Sequence, residues 1–145
     1  MGYLMRMKQA KWVLAMLSLL MLTAIGRAET LPEIEYVNGE RVFIKNPKWH
    51  AKEGGSWLFT CRLEVAAPRL VKPIAHLHLF SVEGEEEDAE IIWEHKAIVR
   101  RNKFDKSYGS RKARFMRVLI KDLPADLESL TVEFKNEPPY AKSSE

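Results

Sequence analysis

From Trp57 to Val65 the chain alternates with a period of two: Trp57, Phe59, Cys61, Leu63 and Val65 share one face, while Thr60, Arg62 and Glu64 share the other. That period is the mark of a strand with one buried side. The same pattern returns three times. In residues 90–99, Ile91, Trp93, His95, Ala97 and Val99 oppose Glu90, Ile92, Glu94, Lys96 and Ile98. In residues 114–121, Met116, Val118 and Ile120 oppose Phe115, Arg117, Leu119 and Lys121. In residues 130–134, Leu130, Val132 and Phe134 oppose Thr131 and Glu133. A further run, residues 74–82, places Ala75, Leu77 and Leu79 on one face and Ile74, His76, His78, Phe80 and Val82 on the other.

Residues 34–37 and 41–45 are shorter strand candidates with Asn38-Gly39 between them, a dipeptide that predicts a tight β-hairpin. Gly54-Gly55, Pro68, Gly84 and Gly109 punctuate the rest, and no sustained helical stripe is present. The pattern predicts an all-β fold: a single antiparallel β-sandwich of six to eight strands, immunoglobulin-like in general architecture. The segment IKDLPADLESLTVEF, residues 120–134, resembles the short Leu-Pro crossing between late strands of many immunoglobulin-like domains.

The first 28 residues are of another kind. Arg6, Lys8 and Lys11 precede an apolar run from Trp12 to Ile25, and small residues follow at Gly26 and Ala28. This is the layout of a secretory signal peptide cleaved after Ala28, the rival being a retained anchor. The run is shorter than the roughly 20 residues that span a bilayer. The expected organisation is therefore a signal peptide at 1–28, a β-sandwich domain at 29–136 and a flexible C-terminal tail at 137–145. The tail's Pro138-Pro139 and Ser143-Ser144 suggest an extended end.

Removal of Arg6, Lys8, Lys11 and Arg27 with the signal changes the charge balance. The whole chain has 23 Lys plus Arg against 20 Asp plus Glu, so the mature part would hold 19 bases against 20 acids. Such a near-neutral chain gives no global reason to expect nucleic acid as partner. Cys61 is the only cysteine, so no intrachain disulfide can form, and no Asn-x-Ser/Thr acceptor occurs. Together these features point to an exported protein of the bacterial periplasm or exterior.

Locally the charges segregate. Residues 83–94 contain Glu83, Glu85, Glu86, Glu87, Asp88, Glu90 and Glu94 and no base. Residues 96–121 contain ten bases against Asp105 alone, with Phe104 and Tyr108 between them. Arg100, Arg101, Lys103, Arg111, Lys112 and Arg114 are the candidate binding residues for an anionic partner: a glycan, a lipid head group or an envelope protein. The bland reading is a long exposed hairpin whose bases are solvated or paired with the acidic run. His76 and His78 are a candidate metal pair, since side chains two apart on a strand lie about 7 Å apart along it. No G-x-S-x-G elbow, H-E-x-x-H or Gly-rich phosphate loop is present, and no cofactor is expected. Cys61 with His95 is the one conceivable catalytic dyad; a buried cysteine among Trp57, Phe59 and Leu63 reads better as a core residue. The sequence thus predicts a non-catalytic binding or structural module, with a His-x-His metal-binding protein as the alternative.

Overall fold

Alternation places the most regular predicted strand, β3 (Trp57–Val65), at the centre of a sheet, because its inward residues Phe59, Leu63 and Val65 are fully withdrawn from solvent. The structure is a computed structural model that describes residues 30–140; the expected signal peptide and positions 141–145 of the tail lie outside the described residues. Seven further strands follow the chain: β1 (Glu33–Val37), β2 (Val42–Ala51), β4 (Ile74–Glu83), β5 (Glu90–Arg100), β6 (Lys106–Tyr108), β7 (Arg111–Ile120) and β8 (Ser129–Lys135). They form two four-stranded sheets, ordered β1-β8-β4-β5 and β2-β3-β7-β6. The only helical elements among the described residues are three short 3₁₀ turns, and no helix there is long and apolar enough to cross a membrane.

One core joins the inward faces of both sheets. Phe59, Leu63, Val118 and Ile120 from the β2-β3-β7-β6 sheet meet Leu77, Leu79, Val99 and Val132 from the β1-β8-β4-β5 sheet in a single buried cluster. Fully burying a side chain of this size stabilises by about 1.5–3 kcal/mol, so the alternation read in the sequence is also the main energetic term. A polar tie reinforces it: Trp49 Nε1 on β2 donates to Tyr36 Oη on β1 at 2.9 Å, linking the two sheets, and the Trp49 ring lies 4.8 Å from that of Phe59. Cys61 is buried in this core, and burial pushes its thiol up to about 12. His95 sits in the other sheet, on β5.

The predicted hairpin at Asn38-Gly39 does not form. β1 pairs in parallel with β8, from Glu33 opposite Ser129 to Val37 opposite Glu133, while β2 joins β3 in the other sheet. A type I′ turn needs positive φ at both central residues, and neither Asn38 nor Gly39 has it. Instead the Asn38 side-chain oxygen accepts from Ile44 N at 2.9 Å, capping the start of β2. Gly39 lets the chain pass close over the core, where a Cβ would lie 2.6 Å from Phe134 Cδ1. The β1–β8 pair is also the exception to an otherwise antiparallel arrangement.

Residues 96–121 are not one hairpin. β5 ends in one sheet and β7 lies in the other, and the chain crosses between them through a turn at Arg101–Lys103. Phe104 is 3% exposed and belongs to the core, so it cannot act as an exposed aromatic. Residues 121–128, inside the 120–134 segment, likewise carry the chain from one sheet to the other.

The close approach at Gly39 gives a direct test. Gly39→Ala is expected to lower the unfolding free energy by about 1–3 kcal/mol, through overpacking against Phe134. Adding Phe134→Leu should recover part of that loss, measured by urea unfolding. Full stability in the single variant would contradict the packing described.

Candidate functional site

The β3–β7 register fixes what the outer face of the β2-β3-β7-β6 sheet displays. Leu58 opposes Leu119, Thr60 opposes Arg117, Arg62 opposes Phe115 and Glu64 opposes Ala113, while the alternate residues Phe59, Cys61, Leu63 and Val65 of β3 and Met116, Val118 and Ile120 of β7 belong to the core. From β2 the same face receives Phe43 and Lys45, then Lys48 and His50. Lys45 and Lys48 can share a face although three residues separate them, because a bulge at Asn46-Pro47 adds one residue to β2. Asn46 makes the bulge with φ 52°, in the left-handed region that Asn tolerates best after Gly. The short β6 adds Lys106 and Tyr108, opposite Ala113 and Arg111.

This face therefore holds Lys45, Lys48, Arg62, Lys106, Arg111 and Arg117, with Glu64 as its only carboxylate. Glu64 is neutralised in place: Arg62 Nε lies 2.8 Å from one oxygen and Arg111 Nη1 3.6 Å from the other, and the residue is buried. Rings are interleaved with the bases. The Arg62 guanidinium lies 4.3 Å over the Tyr108 ring, and that of Arg111 lies 4.5 Å over Phe43. Tyr108 meets Phe115 edge-on at 6.0 Å. Stacking occupies the flat face of a guanidinium and leaves in-plane N–H donors free. Phe115, in the middle of β7, is 55% exposed and Leu119, near its end, 47%, which is unusual for large apolar residues. A groove of about 350 Å³ runs among Lys48, His50, Thr60, Arg62, Phe115 and Arg117. The exposed apolar groups of this face thus stand among bases of which Lys45, Lys48, Lys106 and Arg117 form no ion pair among the described residues.

The six bases named from the sequence do not form one surface. Arg111 lies on the outer face. Lys112 donates to Ser107 Oγ at 2.9 Å at the β6–β7 turn. Arg101 is partly spent as a structural donor, its Nε bonding Val71 O at 2.6 Å. Arg100 and Lys103 stand where the chain crosses between sheets, and Arg114 lies on the inner side of β7, opposite Leu63. Nor do these crossover bases pair with the acidic run. The β4–β5 ladder puts Ile74 opposite Arg100 at one end and Glu83 opposite Glu90 at the other. The acidic turn and the crossover bases are therefore separated by roughly 30 Å along the ladder. At that range salt screens them almost completely.

His76 and His78 share the outer face of β4, with ring centroids 6.0 Å apart. Each is committed to an oxygen: Nδ1–H of His76 donates to Glu137 O at 2.6 Å, and Nε2–H of His78 donates to Glu94 Oε2 at 2.7 Å. Both are buried, and the chain from Asn136 to Pro139 is held nearby through Lys72 N to Asn136 Oδ1 and Lys96 Nζ to Pro139 O. Among the described residues no group of three or more His, Cys, Asp or Glu side chains is arranged to hold a metal ion. Compared with known proteins, the chain matches no family model, no curated protein and no solved structure.

The His76 environment has a consequence for stability. Burial holds its imidazole below the usual value; the bond to Glu137 O opposes this, and the charges of His78, Lys96 and Lys135 add to it. Glu94 and Glu133 are the nearby carboxylates, the first bonded to His78 and the second paired with Lys135. The unfolded chain then takes up the proton near pH 6.5 before the folded chain does, so stability falls as pH drops below about 6.5. Melting temperature should decline from pH 7 to pH 5, and less steeply in His76→Asn, which keeps an N–H donor but cannot titrate. Identical pH dependence in the two proteins would remove His76 as the cause.

Proposed function

We propose that this chain is a non-catalytic binding module, an immunoglobulin-like β-sandwich exported to the bacterial periplasm or exterior, that holds a linear acidic glycan across the outer face of the β2-β3-β7-β6 sheet. One observation supports this reading above the others: six bases share one sheet face with the exposed rings of Tyr108 and Phe115, and the single carboxylate there is already neutralised. The bases supply Coulombic attraction for acidic groups spaced along a polymer. Phe115 and Tyr108 supply apolar surface for the faces of sugar rings, which an ammonium cluster alone cannot offer.

The non-catalytic part of the reading rests on the state of the one nucleophilic candidate. A thiol pushed up to about 12 is not a thiolate at neutral pH, and Cys61 and His95 occupy different sheets. The metal-binding alternative would have to use His76 Nε2 and His78 Nδ1, the nitrogens not engaged by the bonds at 2.6 and 2.7 Å, and among the described residues no further His, Cys, Asp or Glu is arranged with the pair to complete a site.

Retention on a sulfated polysaccharide and on a polyuronate, against a neutral dextran control, tests the proposal. Wild type should be retained on both acidic glycans and released by salt. The triple variant Lys48→Ser, Arg62→Ser, Arg117→Ser should bind at least roughly tenfold more weakly, since each exposed charge contributes on the order of 0.5–1 kcal/mol. Phe115→Ala should weaken binding without changing the salt slope. Equal retention of the triple variant, or tighter binding of single-stranded DNA than of either glycan at matched salt, would overturn the glycan assignment.

A further inference from the structure

The edge of a sheet is a row of backbone donors and acceptors, which folded proteins shorten, interrupt, charge or cover. Three of the four edges here are managed by length or interruption. β1 has five residues, β6 has three, and β2 is interrupted by the bulge at Asn46-Pro47. β5 is different: it has eleven residues and no proline, and among the described residues it pairs with β4 alone. Its one irregularity lies near its start, where Trp93 opposes Ser81 and Ile91 opposes Val82, so that Ile92 is an extra residue. Ile91, Ile92 and Ile98 are 51%, 50% and 43% exposed.

β5 is charged, but with both signs and in a self-complementary order. Glu90 and Glu94 stand in its first half, Lys96 and Arg100 in its second. Glu94, Lys96 and Ile98 oppose Phe80, His78 and His76, on the outer face of the sheet. Two copies of this strand joined antiparallel about a twofold axis through His95, its middle residue, overlap along their full length. Glu94 then faces Lys96 of the second copy on either side of the axis, and Ile98 meets the exposed Ile92. Moving the axis by one residue sets Glu94 against Glu94, or Lys96 against Lys96. Both side chains have bonding capacity left: Glu94 uses only Oε2, for His78, and Lys96 makes one bond of 3.5 Å, to Pro139 O. The larger charge pattern agrees with this pairing. The turn containing Glu85–Asp88 lies at one end of the β4–β5 ladder, and Arg100, Arg101 and Lys103 lie at the other. Antiparallel joining sets the acidic end of each copy alongside the basic end of the other.

We propose that β5 is the contact between two copies of this chain, which join edge to edge into one sheet of eight strands, four from each copy, with the twofold axis at His95. Main-chain hydrogen bonds supply the attraction, and the Glu94–Lys96 pairs fix the register. The contact belongs to the other sheet from the proposed glycan face and does not rest on that reading.

The experiment is analytical ultracentrifugation of the protein over a wide concentration series. Wild type should form a dimer that salt weakens. Lys96→Glu and Glu94→Lys each set like charges against one another twice across the axis, and each alone should self-associate at least roughly tenfold more weakly. Mixed, these two variants face each other with opposite signs and should form a dimer again. Glu94→Lys gives up the His78 bond; if it fails to fold, cysteine cross-linking provides the readout. In a Cys61→Ala background, His95→Cys should form a disulfide-linked dimer rapidly, because facing residues of an antiparallel pair lie within reach of such a bond. Arg100→Cys should not, since its two copies would lie roughly 30 Å apart. The triple variant of the cationic face should dimerise as wild type does while losing glycan retention, which separates the two readings. A monomer at every concentration, Lys96→Glu associating as tightly as wild type, or cross-linking at position 100 as fast as at 95 would overturn the contact.

Discussion

The two-residue period of a β-strand is the constraint from which the other features follow. β3 and β4 each have a neighbour on both sides, and their inward residues Phe59, Leu63, Leu77 and Leu79 are completely buried. A slip of one residue in β3 would carry Arg62 and Glu64 into the core and Leu63 into water, so the register is held by the whole apolar face at once. That same register sends Arg62, Phe115, Arg117 and Leu119 outward. The proposed ligand face is therefore the obligatory reverse side of the core, and its composition can vary without loss of fold. Six bases and several rings on a side that folding leaves unconstrained call for a functional explanation.

Much of this was legible in the sequence. The inward sets of β3, β7 and β8 are those the alternation predicts, because burial on one face imprints itself on every second residue; in β5 the prediction holds from Trp93 to Val99 but fails at Ile91, which is exposed. Three things were not legible, each for a physical reason. The Asn38-Gly39 pair looked like a hairpin because its composition permits positive φ, but the tertiary pairing of β1 with β8 decided otherwise. Lys45 and Lys48 escaped notice because the bulge at Asn46-Pro47 reverses the parity of β2, and parity across a bulge cannot be counted from sequence. The bases of residues 96–121 looked like one surface because they are contiguous in the chain, whereas the crossover at Arg101–Lys103 deals them to two sheets and the margin between.

The acidic run and the crossover bases are kept apart by the fold. The acidic turn around Glu85–Asp88 and the crossover bases occupy opposite ends of the β4–β5 ladder. The one carboxylate on the cationic face is clamped between Arg62 and Arg111. On the far sheet, His76 and His78 turn to Glu137 and Glu94 and fasten the end of the described chain across β4. Apolar burial supplies the stability, while Lys45, Lys48, Lys106 and Arg117 form no ion pair on the outer face and the rings of Tyr108 and Phe115 stay exposed.

The face assignment of β7 can be measured one residue at a time. In a Cys61→Ala background, single cysteines placed at Phe115, Met116, Arg117 and Val118 should react with a water-soluble thiol reagent in strict alternation. Positions 115 and 117 should label rapidly in the native protein; 116 and 118 should label slowly until denaturant is added. Rapid labelling at 116 or 118, or protection at 115 and 117, would mean that the bases and rings do not share an outer face.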